Sequence, residues 1–365
     1  MSLLTADNLA YYLIEKGYVG RDSIVEGDYL VLDYQRRNRN FKVIRRNHPS
    51  YFVKQVLKLE QEPISSLQRE ASCYWMAQTQ PALASLARIA PKFVGYDRER
   101  HVLLVELLEG AETLSEYYRR LGHLPAEIAA EAGRMLASYH SDAGAWIMES
   151  PYRQVFAQAT PWILSMHRIE PQYYPLLSEA NGRLLEIVKS DPDFPATLDG
   201  LKAEWRVNSL LHGDIKWENV LVQSANGGEP KLKLVDWEMA DLGDACWDVG
   251  AFLQNFLVFW VLALPLGEYG DPSRAVSLEQ YPLEHMHGPI RAFWRAYHEA
   301  RGFTDSEGRE FLMRSVRFGA ARMVQSAFEC LYMLKEITAQ AICLLQMSLN
   351  MLKEPEAARE GLLGL

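Results

Sequence analysis

Four polar residues at fixed spacing interrupt an apolar, strand-like stretch at residues 210–238 of this 365-residue chain. They are His212, Asp214, Asn219 and Asp236. Two apolar runs flank a turn-forming stretch at 225–228 (Ala-Asn-Gly-Gly), and this pattern predicts a β-hairpin. The sequence therefore predicts a short buried hairpin with polar groups before its first strand and after its second strand.

These residue types at this spacing suit phosphoryl transfer. One carboxylate must accept the proton of the acceptor, and an amide and a second carboxylate must hold magnesium against the phosphates. Asp214 and Asn219 flank a tight loop, so both can face one cleft, and Asp236 lies across the hairpin. Turn chemistry would explain a single Asp or Asn, and core packing a single His, but neither explains the complete pattern.

The segment resembles the catalytic loop and metal-binding strand of the aminoglycoside phosphotransferase and choline kinase family, which has the protein-kinase-like fold. Residues 242–250, Leu-Gly-Asp-Ala-Cys-Trp-Asp-Val-Gly, are similar to that family's Gly-Asp-Pro-x-x-Asp-Leu-Ala segment. The resemblance implies that Asp214 is the catalytic base and that His212 braces the loop. Asp248 would support the same loop from below, and a helix cap is compatible with that role.

The resemblance also implies a magnesium site formed by Asn219 and Asp236. Glu238 could join it, as a similarly placed acid does in choline kinases, or could face solvent. Lys216 follows the base by two residues, as a lysine does in protein serine/threonine kinases, and could stabilise charge on the transferred phosphoryl group. This favours a serine- or threonine-like hydroxyl, although neutralisation of nearby carboxylates explains the lysine equally well.

The pattern of apolar residues predicts an α+β fold of two lobes. An antiparallel meander at 28–57, a helix at Ser65–Gln78 capped by Ser65 or Ser66, and two further strands form the first lobe. Beyond residue 110 the chain is mostly helical, including Pro161–Lys189. We therefore expect a β-rich nucleotide-binding lobe at 1–107 and a helical lobe with the catalytic loop and acceptor site at 108–365.

The first lobe supplies the expected nucleotide contacts. Lys54 ends a strand in Tyr-Phe-Val-Lys, where the protein-kinase-like fold places the lysine that contacts the α and β phosphates. Glu70 is its expected helical partner. By resemblance to the hinge of the family, the backbone of Glu106 and Leu108 would bond the adenine edge.

The expected phosphate-covering loop departs from the family. Residues 34–40 read Tyr-Gln-Arg-Arg-Asn-Arg-Asn and contain no glycine, which elsewhere lets backbone amides approach phosphate. Arg36, Arg37 or Arg39 could supply charge instead. A solvated basic turn is an equally good interpretation of the three arginines.

Composition argues against nucleic-acid-binding, secreted and membrane-spanning classes of protein. The chain is 48% hydrophobic and 23% charged, and its net charge of −9 argues against nucleic-acid binding. Met1–Asn8 lacks the pattern of a signal peptide, and the apolar run Phe256–Leu266 is about half as long as a membrane span. The four cysteines form no paired motif. We expect a cytoplasmic protein with no membrane partner.

Two functions remain. The first is an ATP- and Mg²⁺-dependent kinase that moves the γ-phosphate to a hydroxyl of a small molecule or of a peptide Ser or Thr. A precursor peptide in natural-product biosynthesis, with a partner enzyme in its pathway, is one such acceptor. The alternative is a nucleotide-binding pseudokinase scaffold. The intact set of predicted catalytic residues favours the kinase, and the missing glycines favour the scaffold.

Overall fold

The computed structural model describes residues 3–34, 38–223, 230–266 and 281–365. The chain forms two compact units, each built from two stretches of sequence. The first unit comprises Met1–Thr113 and Asn219–Ala240, and the second comprises Leu114–Glu218 and Asp241–Leu365.

The first unit is built on a five-stranded antiparallel sheet with the order β1-β2-β3-β5-β4. Its strands are β1 (Leu30–Asp33), β2 (Arg39–Ile44), β3 (Tyr51–Gln55), β4 (Phe93–Asp97) and β5 (Val102–Glu106). The register places Lys54 of β3 between Asn40 of β2 and Leu103 of β5. Lys54 therefore lies on a central strand, where the backbone is held on both sides.

Four helices accompany this sheet: α1 (Ala6–Glu15), α2 (Arg21–Val25), α3 (Gln61–Thr79) and α4 (Ala84–Ile89). Thr5 caps α1, whose buried face packs against Phe41, Val53 and Leu104. The predicted start of α3 at Ser65 or Ser66 is wrong, because its N-cap is Glu60. Pro63 falls in the first turn, where a missing N–H breaks no hydrogen bond, so it does not delay the helix.

A second, three-stranded sheet of this unit has the order β6-β8-β9. It contains β6 (Glu112–Thr113), β8 (Val220–Gln223) and β9 (Lys231–Leu234), and a 3₁₀ turn follows at Trp237–Met239. The β8–β9 pairing is the predicted hairpin, and its predicted turn at 225–228 lies outside the described residues. Because β8 pairs with β6 and the 3₁₀ turn packs on α3, residues 219–240 group with the first unit and not, as expected, with the second.

The second unit is mainly helical, as the sequence predicts. Its helices are α5 (Leu114–Leu121), α6 (Ala126–Ser138), α7 (Gly144–Glu149), α8 (Glu179–Ser190), α9 (Asp193–Ala203), α10 (Ala245–Ala263), α11 (Leu283–Arg301), α12 (Asp305–Cys330), α13 (Ala339–Lys353) and α14 (Pro355–Gly361). The short strands β7 (Ser209–Leu211) and β10 (Asp241–Gly243) pair antiparallel. A single helix over Pro161–Lys189 is wrong: 3₁₀ segments at Trp162–Arg168 and Pro171–Leu176 precede α8. Prolines 171 and 175 explain the interruption.

Helices α10 and α12 form the core that supports the predicted catalytic loop. They cross at Gly250 and Gly319, where a Cβ on Gly250 would lie 2.3 Å from the Ser315 carbonyl oxygen. By length and composition alone, helix α10 could cross a membrane. However, 83% of its most apolar segment is buried inside the protein. This burial fits the core helix that the apolar run at 256–266 predicts.

Candidate functional site

Lys54 lies at the centre of the candidate nucleotide site in the first unit. Its Nζ lies 2.8 and 2.9 Å from the two carboxylate oxygens of Glu70 and also contacts Asp236. The Tyr74 hydroxyl, one turn after Glu70 on α3, donates to Glu70 at 3.1 Å and accepts from the Asp236 amide at 3.1 Å. The lysine and its predicted partner are therefore joined, with Asp236 in the same network.

Burial and neighbouring charge shift the ionisation of this network. Burial alone would lower the pKa of Lys54, but the carboxylates of Asp236 and Glu70 outweigh burial and raise it. Burial, helped by the negative charge of Asp236, raises the pKa of Glu70 to about 7 despite the attraction of Lys54. Lys54 therefore stays charged at neutral pH, and the network carries more carboxylates than one lysine can neutralise.

Asp236 has a left-handed backbone, with φ of +69°. Residues other than glycine rarely adopt this conformation, and where they do the strain often marks a functional position. The Val235 amide donates to the Asn219 carbonyl at 3.0 Å, so the hairpin brings the predicted metal ligand Asn219 next to the chain at Asp236.

Three carboxylates of the first unit converge. Single oxygen atoms of Glu70, Asp236 and Glu238 all lie within 4.8 Å of one another. Arg69 donates to the Glu238 carbonyl at 3.2 Å and so fixes the turn that carries Glu238. Oxygen ligands at this spacing, with excess negative charge, suit a hard divalent cation such as Mg²⁺. The residues present therefore fit the predicted metal.

The predicted hinge lies at the end of β5. The Glu106 amide donates to the Lys92 carbonyl at 2.9 Å, and the Leu108 carbonyl accepts from the Ala111 amide at 3.3 Å. The Glu106 amide is therefore occupied, so a base would bond to the Glu106 carbonyl, and it could bond to the Leu108 amide as well. These are one acceptor and one donor, as an adenine edge requires.

Arg39 lies on the wrong side of the sheet for its predicted role. It stands opposite Gln55, whereas its neighbour Asn40 stands opposite Lys54. Because side chains alternate along a strand, Arg39 and Lys54 project from opposite faces. This placement argues against Arg39 as a phosphate contact. Arg36 and Arg37 lie outside the described residues.

In the second unit, Asp248 of α10 holds the predicted catalytic loop. Its carboxylate accepts from the amides of His212 at 2.7 Å and Gly213 at 3.0 Å, and from the Tyr139 hydroxyl at 2.7 Å. Gly213 has φ of +80°, which favours glycine, and the Asp214 amide donates to Nδ1 of buried His212 at 3.3 Å. The loop is therefore fixed from below, as the family resemblance implies.

Two cations contact the proposed base. Oδ1 of Asp214 lies 2.9 Å from the Arg322 guanidinium, and Oδ2 lies 3.0 Å from Nζ of Lys216. Both cations also approach Glu329, Lys216 at 3.2 Å and Arg322 at 3.4 Å. Burial would raise the pKa of Asp214, but Lys216 and Arg322 outweigh it and lower the pKa, so Asp214 is ionised at neutral pH.

Arg322 and Glu329 were not predicted from the sequence. They lie on α12 with Ser326, at positions i, i+4 and i+7, which share one helix face. The sequence did contain a signal for them, because polar residues along one face of a largely buried helix need partners inside the protein. Only the fold shows that the partner is Asp214.

A cavity of about 500 Å³ opens beside Lys216 in the second unit. Its apolar lining includes Trp217, Phe259 and Tyr281, and its polar lining includes Arg119, Glu218, Asn255, Ser326, Glu329 and Cys330. The amide nitrogen of Asn255 donates to the carbonyls of Ile215 and Ala251, which leaves its Oδ1 as the acceptor for other groups. The cavity can therefore hold a small molecule with hydrogen-bond donors.

Comparison with known proteins supports the fold. The model of the phosphotransferase enzyme family matches residues 31–281. No curated protein sequence is significantly similar to the chain. Among solved structures, a choline/ethanolamine kinase family protein from Mesorhizobium loti has a TM-score of 0.53 at 16% identity, with 97% of this chain and 95% of that chain covered.

Two further structures are similar to this chain. A GDP complex of an aminoglycoside 2′-phosphotransferase has a TM-score of 0.53 at 16% identity and covers 98% of this chain and 99% of that one. A glucosamine kinase with glucosamine, ADP and inorganic phosphate has a TM-score of 0.52 at 17% identity and covers 97% and 87%. At such identities the matches show the fold alone, and they confirm the predicted protein-kinase-like fold.

Proposed function

Because this chain belongs to the phosphotransferase enzyme family, which its residues 31–281 match, we propose that it moves the γ-phosphate of ATP to a hydroxyl of a small molecule. The observation that carries the proposal is Asp214. It is an ionised carboxylate oriented by two cations, and one of them, Lys216, lines a cavity that can hold an acceptor. Such a group can take the acceptor proton.

Residues of the first unit bind the nucleotide and its metal in this proposal. Lys54, held by Glu70, contacts phosphate oxygens, and the carbonyl of Glu106 and amide of Leu108 bond the base. Asp236 and Glu238, whose carboxylates converge, would hold Mg²⁺, with Asn219 beside them as a further ligand. The ion, when bound, neutralises negative charge that develops on the phosphates.

Residues of the second unit act on the acceptor. Asp214 accepts the hydroxyl proton at Oδ2, and Asp248 fixes the loop through the amides of His212 and Gly213. Lys216, whose pKa the carboxylates of Asp214 and Glu329 raise against the effect of burial, stays cationic and can attract the phosphoryl group.

The cavity volume favours a metabolite-sized acceptor. Similar folds have been solved with kanamycin and with glucosamine, so hydroxylated amino compounds are the first acceptors to test. A Ser or Thr of a peptide is the second class, because Tyr332 and Met333 expose apolar surface just after the cavity residue Cys330. A partner enzyme in a biosynthetic pathway would then use the phosphorylated peptide.

The test is ADP release with Mg²⁺, ATP and a panel of kanamycin, glucosamine, choline and Ser-containing peptides. Asp214→Ala should lower turnover by at least about a hundredfold and leave ATP affinity within a few-fold, because the residue acts on the acceptor. Asp142→Ala removes an exposed carboxylate of the same unit and is the matched control. Equal turnover of wild type and Asp214→Ala would favour the pseudokinase alternative or another base.

A further inference from the structure

Asp214, Lys216, Glu329 and Arg322 form a closed ring of alternating charge in the second unit. The four contacts between neighbours measure 3.0, 3.2, 3.4 and 2.9 Å in that order. The proposed mechanism uses Asp214 and Lys216 but assigns no task to the other two. Arg322 has a fully buried side chain, whereas those of Lys216 and Glu329 are 31% and 37% exposed.

We propose that Arg322 is a positioning residue for Asp214 and that Glu329 is the second docking place of Lys216. Arg322 would hold Oδ1 of Asp214 throughout the reaction, while Lys216 would leave Oδ2 and move to Glu329 when an acceptor arrives. This inference rests on the proposed function, because it takes Asp214 as the base.

Burial decides which of the two cations moves. Both cations contact both carboxylates, but a fully buried guanidinium cannot replace a lost carboxylate contact with water, so that loss costs far more than the loss of a surface ion pair. Arg322 is further held by Ser326, whose hydroxyl accepts from it at 3.2 Å and lies 3.4 Å from Gln254 of α10. Lys216 is 31% exposed, so water can replace the contact that it loses, and it can leave Asp214 at little cost.

Glu329 supplies the second of the two carboxylates that balance the two cations of the ring. Without its carboxylate, two cations would face Asp214, and Lys216 would lose the second carboxylate that it contacts, at 3.2 Å. An acceptor hydroxyl would then have to displace a stronger ion pair to reach Oδ2. Glu329 thus acts on turnover through Lys216, without contacting the reacting atoms.

The charges that face Asp214 predict how its titration responds. Within the second unit the charged side chains are Lys216 from the loop and Arg322 and Glu329 from α12, and the imidazole of His212 is a further titratable group of the loop. Removing the Arg322 charge takes away one of the two cations that oppose the effect of burial. The pKa of Asp214 should then rise.

The primary test is ¹³C NMR of protein labelled at aspartate carboxyls and titrated from about pH 4 to 7. Asp214→Asn assigns the Asp214 signal. We expect that signal to be constant in wild type and to titrate within this range in Arg322→Met. Arg314→Met is the matched control, because Arg314 lies on the same helix, is buried and pairs with Asp244. An Asp214 signal that behaves alike in both methionine variants would overturn the role of Arg322.

Glu329→Gln provides the second test at an exposed position where folding is not at risk. ADP release should fall about tenfold with unchanged KM for ATP, and in a Lys216→Met background the same change should cost less than about twofold. Equal losses in both backgrounds would refute the docking role of Glu329. No ADP release by wild type with any acceptor would instead count against the proposed function, and full activity of Asp214→Ala would refute Asp214 as the base. In either case the NMR experiment would still decide whether Arg322 governs this carboxyl.

Discussion

Asp236 combines a strained backbone with two chemical contacts, because it meets Lys54 and lies among the carboxylates that fit a cation. Asn tolerates the left-handed conformation nearly as well as any residue other than glycine. Asp236→Asn therefore removes charge without forcing the backbone to change. This makes the substitution a clean probe of metal binding.

We expect nucleotide affinity to rise on addition of Mg²⁺ in wild type and this rise to shrink by about tenfold in Asp236→Asn. Isothermal titration with ATP, in Mg²⁺ and in chelator, measures it. Asp22→Asn, at an exposed acid of the same unit, is the control. ATP affinity that ignores Mg²⁺ in every variant would count against the predicted metal site.

The arginines before β2 give a second prediction for single residues. If Arg36 and Arg37 replace glycine amides as phosphate contacts, the double change to Gln should lower ATP affinity about tenfold, since a charged hydrogen bond contributes roughly 1.5–3 kcal/mol. Adenosine affinity should not change. Arg39→Gln is the matched control, because Arg39 projects from the sheet face opposite to Lys54. Equal ATP affinity in all three proteins would identify the segment as a solvated basic turn.

At the scale of elements, Asp28 fastens the connection between β2 and β3. Its carboxylate accepts from the amides of Arg46 at 2.5 Å and Asn47 at 3.1 Å and lies 2.7 Å from Nδ1 of His48. The hydrogen bond with His48 is the largest influence and, with the two amides, lowers the pKa of Asp28 to about 2. The ionised form is therefore favoured by folding.

A lowered pKa makes this contribution to stability complete above the unfolded pKa near 4 and progressively lost as pH falls toward 2. We expect Asp28→Asn to lower the urea midpoint at pH 6 and to flatten its fall between about pH 5 and 3. Asp7→Asn, at an exposed acid, should keep the wild-type slope. Parallel pH profiles for wild type and Asp28→Asn would show that the carboxylate does not tie down this turn.

The crossing of α10 and α12 gives the second prediction at this scale. Gly250→Ala would place a methyl 2.3 Å from a backbone oxygen, and overpacking of this kind costs about 1–3 kcal/mol. Gly288→Ala in α11 meets nothing within 4 Å and should be neutral or stabilising. Thermal unfolding of the two variants compares them. A Gly250→Ala protein as stable as Gly288→Ala would mean that the crossing of α10 and α12 accommodates the extra methyl group without cost.

Local sequence patterns predicted which helices and strands form better than they predicted the residues at which these elements begin and end. Strands near Lys54 and the β8–β9 hairpin follow from alternation and turn residues, which are local properties. The stretch Pro161–Lys189 had helical spacing, but prolines 171 and 175 divided it. The candidate site residues Asp214, Asn219 and Asp236 precede or follow strands in a known motif, so the sequence could indicate them in the same way. It could not indicate Arg322 in this way, because the contact of Arg322 with Asp214 joins residues more than a hundred positions apart.

For the whole molecule, the main departure from expectation is the division of the chain. A split at residue 107 was predicted, yet the first unit includes Asn219–Ala240 and the chain passes between units three times. Local patterns cannot show this, since the hairpin joins the first unit through pairing with β6 at Glu112–Thr113. The predicted base Asp214 and metal ligand Asn219 thus belong to different units although five positions separate them.

This division governs the order in which the protein can fold during synthesis. When Thr113 leaves the ribosome, the five-stranded sheet is complete, but β6 lacks its partner β8 and Lys54 lacks Asp236. Those partners emerge only after the whole of Leu114–Glu218 has been translated. A chain that ends near residue 113 would leave Glu70 and Lys54 as an isolated buried pair and expose the surface of α3 that receives Trp237–Met239. The first unit therefore stays incomplete during synthesis until residues 219–240 have been translated. During that period its uncovered surface can bind chaperones or aggregate.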